Sequence, residues 1–132
     1  MRVVIQRVRQ ASVAVDDEIT GEIGPGMLVL AGFENADLES DLDWMVAKLL
    51  KTRIFADENG VMNCSIQEVG GDILAVSQFT LFASVKKGNR PSWQRAAGGE
   101  VSRPLFAQFV DKLSAALGKM VATGIFGADM QV

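Results

Sequence analysis

The chain opens on a β pattern. Arg2 to Arg9 carries Val3, Val4, Ile5 and Val8, and Ala11 to Val15 alternates, with Val13 and Val15 on one side. Asp16-Asp17 reads as a turn into Glu18 to Ile23, so these segments form a hairpin. Gly24-Pro25-Gly26 punctuates the chain before Met27 to Phe33, an apolar run typical of a buried strand. The period then changes. Leu38, Leu42, Met45, Val46, Leu49 and Leu50 recur at helical spacing, after an Asp37 suited to capping. Glu39, Asp41 and Asp43 lie toward the positive end of that helix dipole, Lys48 and Lys51 toward the other, so helix polarity accounts for the acidic cluster better than a metal site.

Short strands are expected from Arg53 to Phe55 and around Met62-Asn63, joined by a turn at Asp57 to Gly60, and a longer one from Asp72 to about Leu81. Lys86 to Gly99 is polar and holds Gly and Pro, a loop. Ser102 before Pro104 marks a second helix, with Leu105, Phe106, Phe109, Val110, Leu113 and Leu117 on its buried face and Gly118 as its stop. Val121 to Gln131 reads as one or two further strand segments. The order predicts one α/β domain over residues 1–132, a compact mixed-sheet or barrel-like fold with two main helices.

Composition narrows the chemistry. At 48% apolar, 132 residues build a real core, though a domain this small gains from a dimer interface. Met27 to Phe33 is far too short to cross a membrane, and no secretion leader is visible. One cysteine, Cys64, cannot close an internal disulfide, which suits a reducing cytosol. There is no histidine, so a Ser-His-Asp or Cys-His apparatus is excluded and His- or Cys-rich zinc sites with it. The expectation is a protein without metal or cofactor.

A net charge of −3 weighs against tight, sequence-independent binding of long nucleic acid. The cations Lys86, Lys87, Arg90, Arg95 and Arg103 nevertheless gather with only Glu100 opposing them, while the acids lie at Asp16 to Glu22 and Glu34 to Asp43. Such a patch fits a short phosphate-bearing end better than a duplex. Lys87 and Arg90 are candidates to hold a phosphate. Trp93 is a candidate to stack on a base, or equally to tuck into the core. Ser77-Gln78-Phe79-Thr80 puts polar groups near a strand end, where Ser77 and Thr80 reach one pocket only if the strand ends or bulges at Gln78. Alone, that string reads more readily as a turn than as a catalytic site.

The strings combine. Ser77-Gln78-Phe79-Thr80-Leu81, Arg90-Pro91-Ser92 and Ala96-Ala97 occur in register with Val4-Ile5-Gln6-Arg7-Val8, Ala11-Ser12-Val13 and Thr20-Gly21-Glu22-Ile23-Gly24. Arg53-Ile54-Phe55, Met62-Asn63 and Phe126-Gly127-Ala128-Asp129-Met130 keep the same order. Together they resemble the D-aminoacyl-tRNA deacylase family from end to end.

The resemblance implies a cytosolic hydrolase that cuts the ester between a D-amino acid, or glycine, and the terminal adenosine of tRNA. The substrates would be D-aminoacyl-tRNA and glycyl-tRNA, and the working form a homodimer. It implies a pocket floor of Ser77, Gln78, Phe79 and Thr80, with backbone N–H groups near Phe79 and Thr80 facing the reacting carbonyl and Gln78 fixing the adenosine. The substrate's ribose hydroxyl takes part, which agrees with the missing histidine. Thr80 as nucleophile ranks second, because no base in the sequence would activate it. Ala97, Phe126 and Met130 match positions lining the adenosine pocket, Arg7 an arginine bracing the selectivity loop, and Lys86, Lys87 and Arg90 remain candidates for tRNA phosphates. The family continues past Met130-Gln131-Val132 with a strand and an Asn-x-Gly-Pro-Val-Thr segment, whose cis-proline enters the partner's pocket and excludes L-amino acids. These 132 residues stop ahead of it, so the expectation for them is weak selectivity. The competing reading is a non-enzymatic, dimeric nucleic-acid-binding module using Lys86 to Arg103.

Overall fold

The computed structural model describes residues 1–132. Strand β1 (Arg2–Val8) leads into the hairpin β2 (Ala11–Val15) and β3 (Glu18–Ile23), then β4 (Gly26–Gly32) and helix α1 (Glu39–Lys51). Short strands β5 (Phe55–Ala56) and β6 (Met62–Cys64) follow, with a one-turn helix α2 (Ile66–Val69), strand β7 (Asp72–Ser77), helix α3 (Gly99–Leu117) and strand β8 (Ala122–Thr123).

The main sheet has the order β1-β4-β7-β8, with β1 antiparallel to β4 and the other two pairs parallel. Its ends do not meet. The fold is the expected mixed-sheet α/β class, but no barrel closes, because no strand ladder joins the β2-β3 and β5-β6 ribbons to the main sheet.

Side-chain alternation sorts the core into two layers. Met27, Val29, Ala31, Ile73 and Ala75 point to one side of the sheet, where α1 supplies Leu42, Val46, Leu49 and Leu50 and α3 supplies Phe106, Phe109 and Leu113. The opposite side carries Leu74 and Val76, covered by Val13 of the hairpin, with Leu28, Leu30 and Ile23 beside them. That is why Met27 to Phe33 reads as continuously apolar: β4 is central and faces protein on both sides. The Asp16-Asp17 turn is as expected, and both residues adopt left-handed backbone (φ 50° and 63°), the geometry of a tight hairpin.

Several boundaries differ from expectation. Helix α1 is preceded by Leu38, whose N–H donates to the Asp41 carboxylate at 2.8 Å. Asp37 instead accepts from the Glu34 N–H at 2.7 Å and from the terminal ammonium of Met1, so it fastens the loop before the helix. Helix α3 starts at Gly99, not at Ser102. Ser102 lies within its first turn, its hydroxyl donating back to the Gly98 carbonyl at 2.9 Å, and Pro104, in the second turn, gives up the one N–H that would reach the Glu100 carbonyl. The strand from Asp72 ends at Ser77, and Phe79–Phe82 winds into a 3-10 turn. Between Val121 and Gln131 only β8 and a single bridge from Gln131 to Ala14 are extended pairings. Helix α2 was not anticipated. It is a capping box, in which Ser65 accepts from the Glu68 N–H and Glu68 accepts from the Ser65 N–H at 2.6 Å. That backbone bond, reinforced by the Ser65 hydroxyl, holds the Glu68 carboxyl below its usual range. On the helical side, Lys112 of α3 reaches both Asp43 (2.7 Å) and Glu39 (2.9 Å) of α1, and these carboxylates, Asp43 foremost, push its ammonium up.

Candidate functional site

Two parallel strands run out of the sheet side by side at Ala31 and Ser77, their last matched pair. Crevices beyond the carboxyl ends of parallel strands are the usual binding places of open α/β sheets. Here that crevice is a cavity of about 480 Å³. Its walls are the end of β4 (Ala31, Gly32, Phe33), the end of β7 (Val76, Ser77, Gln78, Phe79), the start of α3 with the loop before it (Ala97, Gly99, Ser102), and the segment Phe126 to Met130 with Val132.

The walls hold one another in place by backbone bonds. The Gln78 N–H donates to the Ala31 carbonyl at 2.7 Å, and the Ala97 N–H to the Phe33 carbonyl at 2.9 Å. Gly32 is required by close approach, since a Cβ there would sit 2.7 Å from the Gln78 carbonyl oxygen and 3.3 Å from the Phe82 ring. The Phe33 ring packs edge-on against Phe106 and Phe109, and Phe126 leans on Phe106 with the Arg103 guanidinium over its ring, 4.7 Å from the centre.

The 3-10 turn after β7 supplies the polar chemistry. Its first internal bond runs from the Leu81 N–H to the Gln78 carbonyl, so the N–H groups of Phe79 and Thr80 precede any partner within the turn. Phe79 lines the cavity and Thr80 follows it, and two adjacent donors without turn partners are the kind of group that stabilises a developing oxyanion. The Gln78 side-chain amide donates to the Thr80 hydroxyl. Thr80 itself does not line the cavity, and no basic side chain bonds to its oxygen. Asp129 is the one ionisable side chain on the cavity wall, and it is exposed.

Of the residues singled out in the sequence, Ser77, Gln78, Phe79, Ala97, Phe126 and Met130 line this one cavity, and Thr80 is hydrogen-bonded to Gln78 without lining it. Arg7 does not join them. It lies on β1 and donates to the Ile54 carbonyl at 2.7 Å, away from the cavity wall. Lys86, Lys87 and Arg90 are exposed in the loop between Ser84 and Ser92, and none takes part in an ion pair, whereas Arg95 pairs with Glu34 at 2.9 Å. Trp93 neither enters the core nor stands alone: it meets Phe79 edge-on, ring centres 5.6 Å apart. Gly32, Phe33, Gly99, Ser102 and Asp129 went unrecognised. Ser102 left a trace, four residues before Phe106 on the buried stripe of α3, where a polar side chain is out of place. No group of three or more His, Cys, Asp or Glu side chains converges to hold a metal ion.

Residues 4–132 match the family described as D-Tyr-tRNA(Tyr) deacylase. A D-aminoacyl-tRNA deacylase of Dechloromonas aromatica (strain RCB) is 71% identical over all 132 residues, which span 88% of that relative. One of Chromobacterium violaceum is 63% identical over the same extent. Among solved structures, a c-Myc DNA unwinding element binding protein superposes with a TM-score of 0.92 at 38% identity, covering 99% of this chain and 89% of that one. A probable eukaryotic D-amino acid tRNA deacylase shares the fold, with a TM-score of 0.81 at 22% identity over 98% of this chain and 91% of that one.

Proposed function

The chain belongs to the D-Tyr-tRNA(Tyr) deacylase family, and on that premise we propose that the cavity at the ends of β4 and β7 is where it cuts the ester of a D-aminoacyl-tRNA. The activity is that of a D-aminoacyl-tRNA deacylase, a hydrolase that proofreads the chirality of charged tRNA. The observation carrying the site assignment is the pair of free N–H groups at Phe79 and Thr80, next to an apolar cavity with room for a nucleoside.

In this reading the terminal adenosine lies against Ala97, Phe126 and Met130, with Gln78 and Ser77 at the ester end. Water attacks the ester carbonyl, and the N–H groups of Phe79 and Thr80 receive the charge that develops on its oxygen. The departing 3′ oxygen takes a proton relayed through the neighbouring 2′ hydroxyl of the substrate, which supplies what a histidine would. Thr80 orients Gln78 through the amide-to-hydroxyl bond and is not the nucleophile. Most of the protein's contribution is therefore placement. Glycine fits the same pocket, having no side chain to exclude. Lys86, Lys87 and Arg90 face the tRNA phosphates, and the work is done in the cytosol, where charged tRNA is used.

The reading includes a homodimer. Val4 is half exposed on the hairpin side of β1, directly paired with the half-buried Leu30, and Gln6 is paired with Leu28, so an apolar strip of sheet lies beyond the hairpin's cover. A second copy would bury it. Arg7 acts, in this assembly, from its place on β1 toward the neighbouring subunit's selectivity loop.

The test is hydrolysis of D-tyrosyl-tRNA and L-tyrosyl-tRNA by the purified protein, with glycyl-tRNA as a third substrate. Cleavage of the D ester is expected, and it should be lost on substituting Gln78 by Leu. Absence of any cleavage, or cleavage indifferent to Gln78, would overturn the assignment.

A further inference from the structure

Beside the cavity the surface carries an apolar feature that the fold itself does not use. Phe79 belongs to the cavity wall yet is 56% exposed, and Trp93, outside that wall, is 38% exposed. Their rings meet at 75° with centres 5.6 Å apart. An edge-to-face pair holds the two rings in a fixed relation, and here much of both rings remains in water. The pair thus extends the cavity outward as an aromatic shelf.

The loop that carries Trp93 is built to stay in place. Ser84 and Ser92 exchange two backbone hydrogen bonds, of 2.8 and 2.9 Å, which clamp the base of the segment between them. That segment projects Lys86, Lys87 and Arg90, all exposed and none neutralised by a carboxylate. On a chain of net charge −3, an aromatic shelf flanked by three free cations is complementary to a short stretch of single-stranded nucleic acid.

We infer that Trp93 and Phe79 form a stacking platform for the nucleotide that precedes the terminal adenosine, with the Lys86–Arg90 loop holding its phosphate. This rests on the assignment of the cavity to the terminal adenosine. It adds a second nucleotide subsite, so the enzyme grips an RNA end rather than a lone nucleoside. Because that end is common to all tRNAs, gripping it by stacking and phosphate contact suits an enzyme that must accept many of them.

The experiment compares kcat/KM on D-tyrosyl-adenosine with that on a D-tyrosyl ester of the trinucleotide CCA. Wild-type protein should prefer the trinucleotide. Trp93→Ala and Trp93→Leu should each cut that preference by roughly 5- to 100-fold, mainly through KM, whereas Trp93→Phe should keep most of it. The leucine variant preserves apolar bulk without an aromatic face, so it separates stacking from packing. Wild-type cleavage of both substrates with an unchanged preference in the leucine variant overturns this inference alone. A changed oligomeric state with an unchanged preference makes the pair a contact between copies and overturns it too. Wild-type protein that cleaves neither substrate overturns the site assignment and this inference with it.

Discussion

Replacing Thr80 by alanine separates the two ways in which this cavity can work. The Thr80 hydroxyl makes one hydrogen bond in the structure, accepted from the Gln78 amide, and Thr80 is not among the residues lining the cavity. If that bond only steadies Gln78, its loss costs about 0.5–1.5 kcal/mol, or roughly a 2- to 12-fold drop in kcat/KM. A nucleophile that forms a covalent intermediate is a different matter, and its removal costs on the order of a millionfold. The companion perturbation is in the substrate. A tRNA ending in 2′-deoxyadenosine lacks the hydroxyl that handles the proton, and should fall by roughly 100- to 10,000-fold. Both are read by single-turnover decay of labelled D-tyrosyl-tRNA at fixed pH and salt. A Thr80→Ala protein that is dead while the deoxy substrate is cleaved normally would refute the reasoning.

Deacylation should persist in excess chelator once the tRNA's own magnesium requirement is met, and a loss restored only by zinc would contradict a mechanism built from amides and substrate. Gly32→Ala should remove activity and lower stability by about 1–3 kcal/mol, because the new Cβ meets the Gln78 carbonyl at 2.7 Å; denaturant unfolding and the deacylation rate check the two effects. Asp17→Gly should raise stability by up to about 1 kcal/mol by relieving a left-handed residue with φ 63°, visible as a higher Tm with unchanged activity. The Glu68 carboxyl is held below its ordinary value, so its contribution is present above about pH 4.5 and is lost as pH falls further. Wild-type Tm should therefore drop more steeply than that of Glu68→Gln between about pH 6 and about pH 3.

What the sequence disclosed follows from the length of each signal. Helices α1 and α3 and the buried strand β4 span enough residues for periodicity to be unambiguous, and they stand where the pattern put them. The misplacements fall where a single local bond decides. Asp37 looks like a cap until the Met1 ammonium and the Glu34 N–H claim it, and Ser102 looks like one until its hydroxyl turns back to Gly98. The end of β7 depends on Gln78 N–H bonding Ala31 across the sheet, a contact between residues far apart in the chain. For the cavity, motif resemblance brought together Ser77, Gln78, Phe79, Ala97, Phe126 and Met130, residues that no periodicity could connect. Gly32 and Phe33 escaped because their apolar run already had a sufficient explanation as core. The α/β mixed-sheet class was legible, whereas the sheet's open edges were not, because the pairing partners of short strands such as β5 and β6 are invisible to composition.

The cavity draws its wall from Ala31 to Phe33 and from Phe126 to Val132, segments far apart in sequence. During synthesis nothing resembling the site exists until Phe126 to Val132 have been made, although the hairpin and α1 are available early. A chain released before Phe126 therefore lacks one wall of the cavity and has no partial activity to release into a cell full of correctly charged tRNA. Turnover consequently serves as a gauge of finished folding: in refolding experiments it should return only with the final tertiary signal, after helix content has recovered.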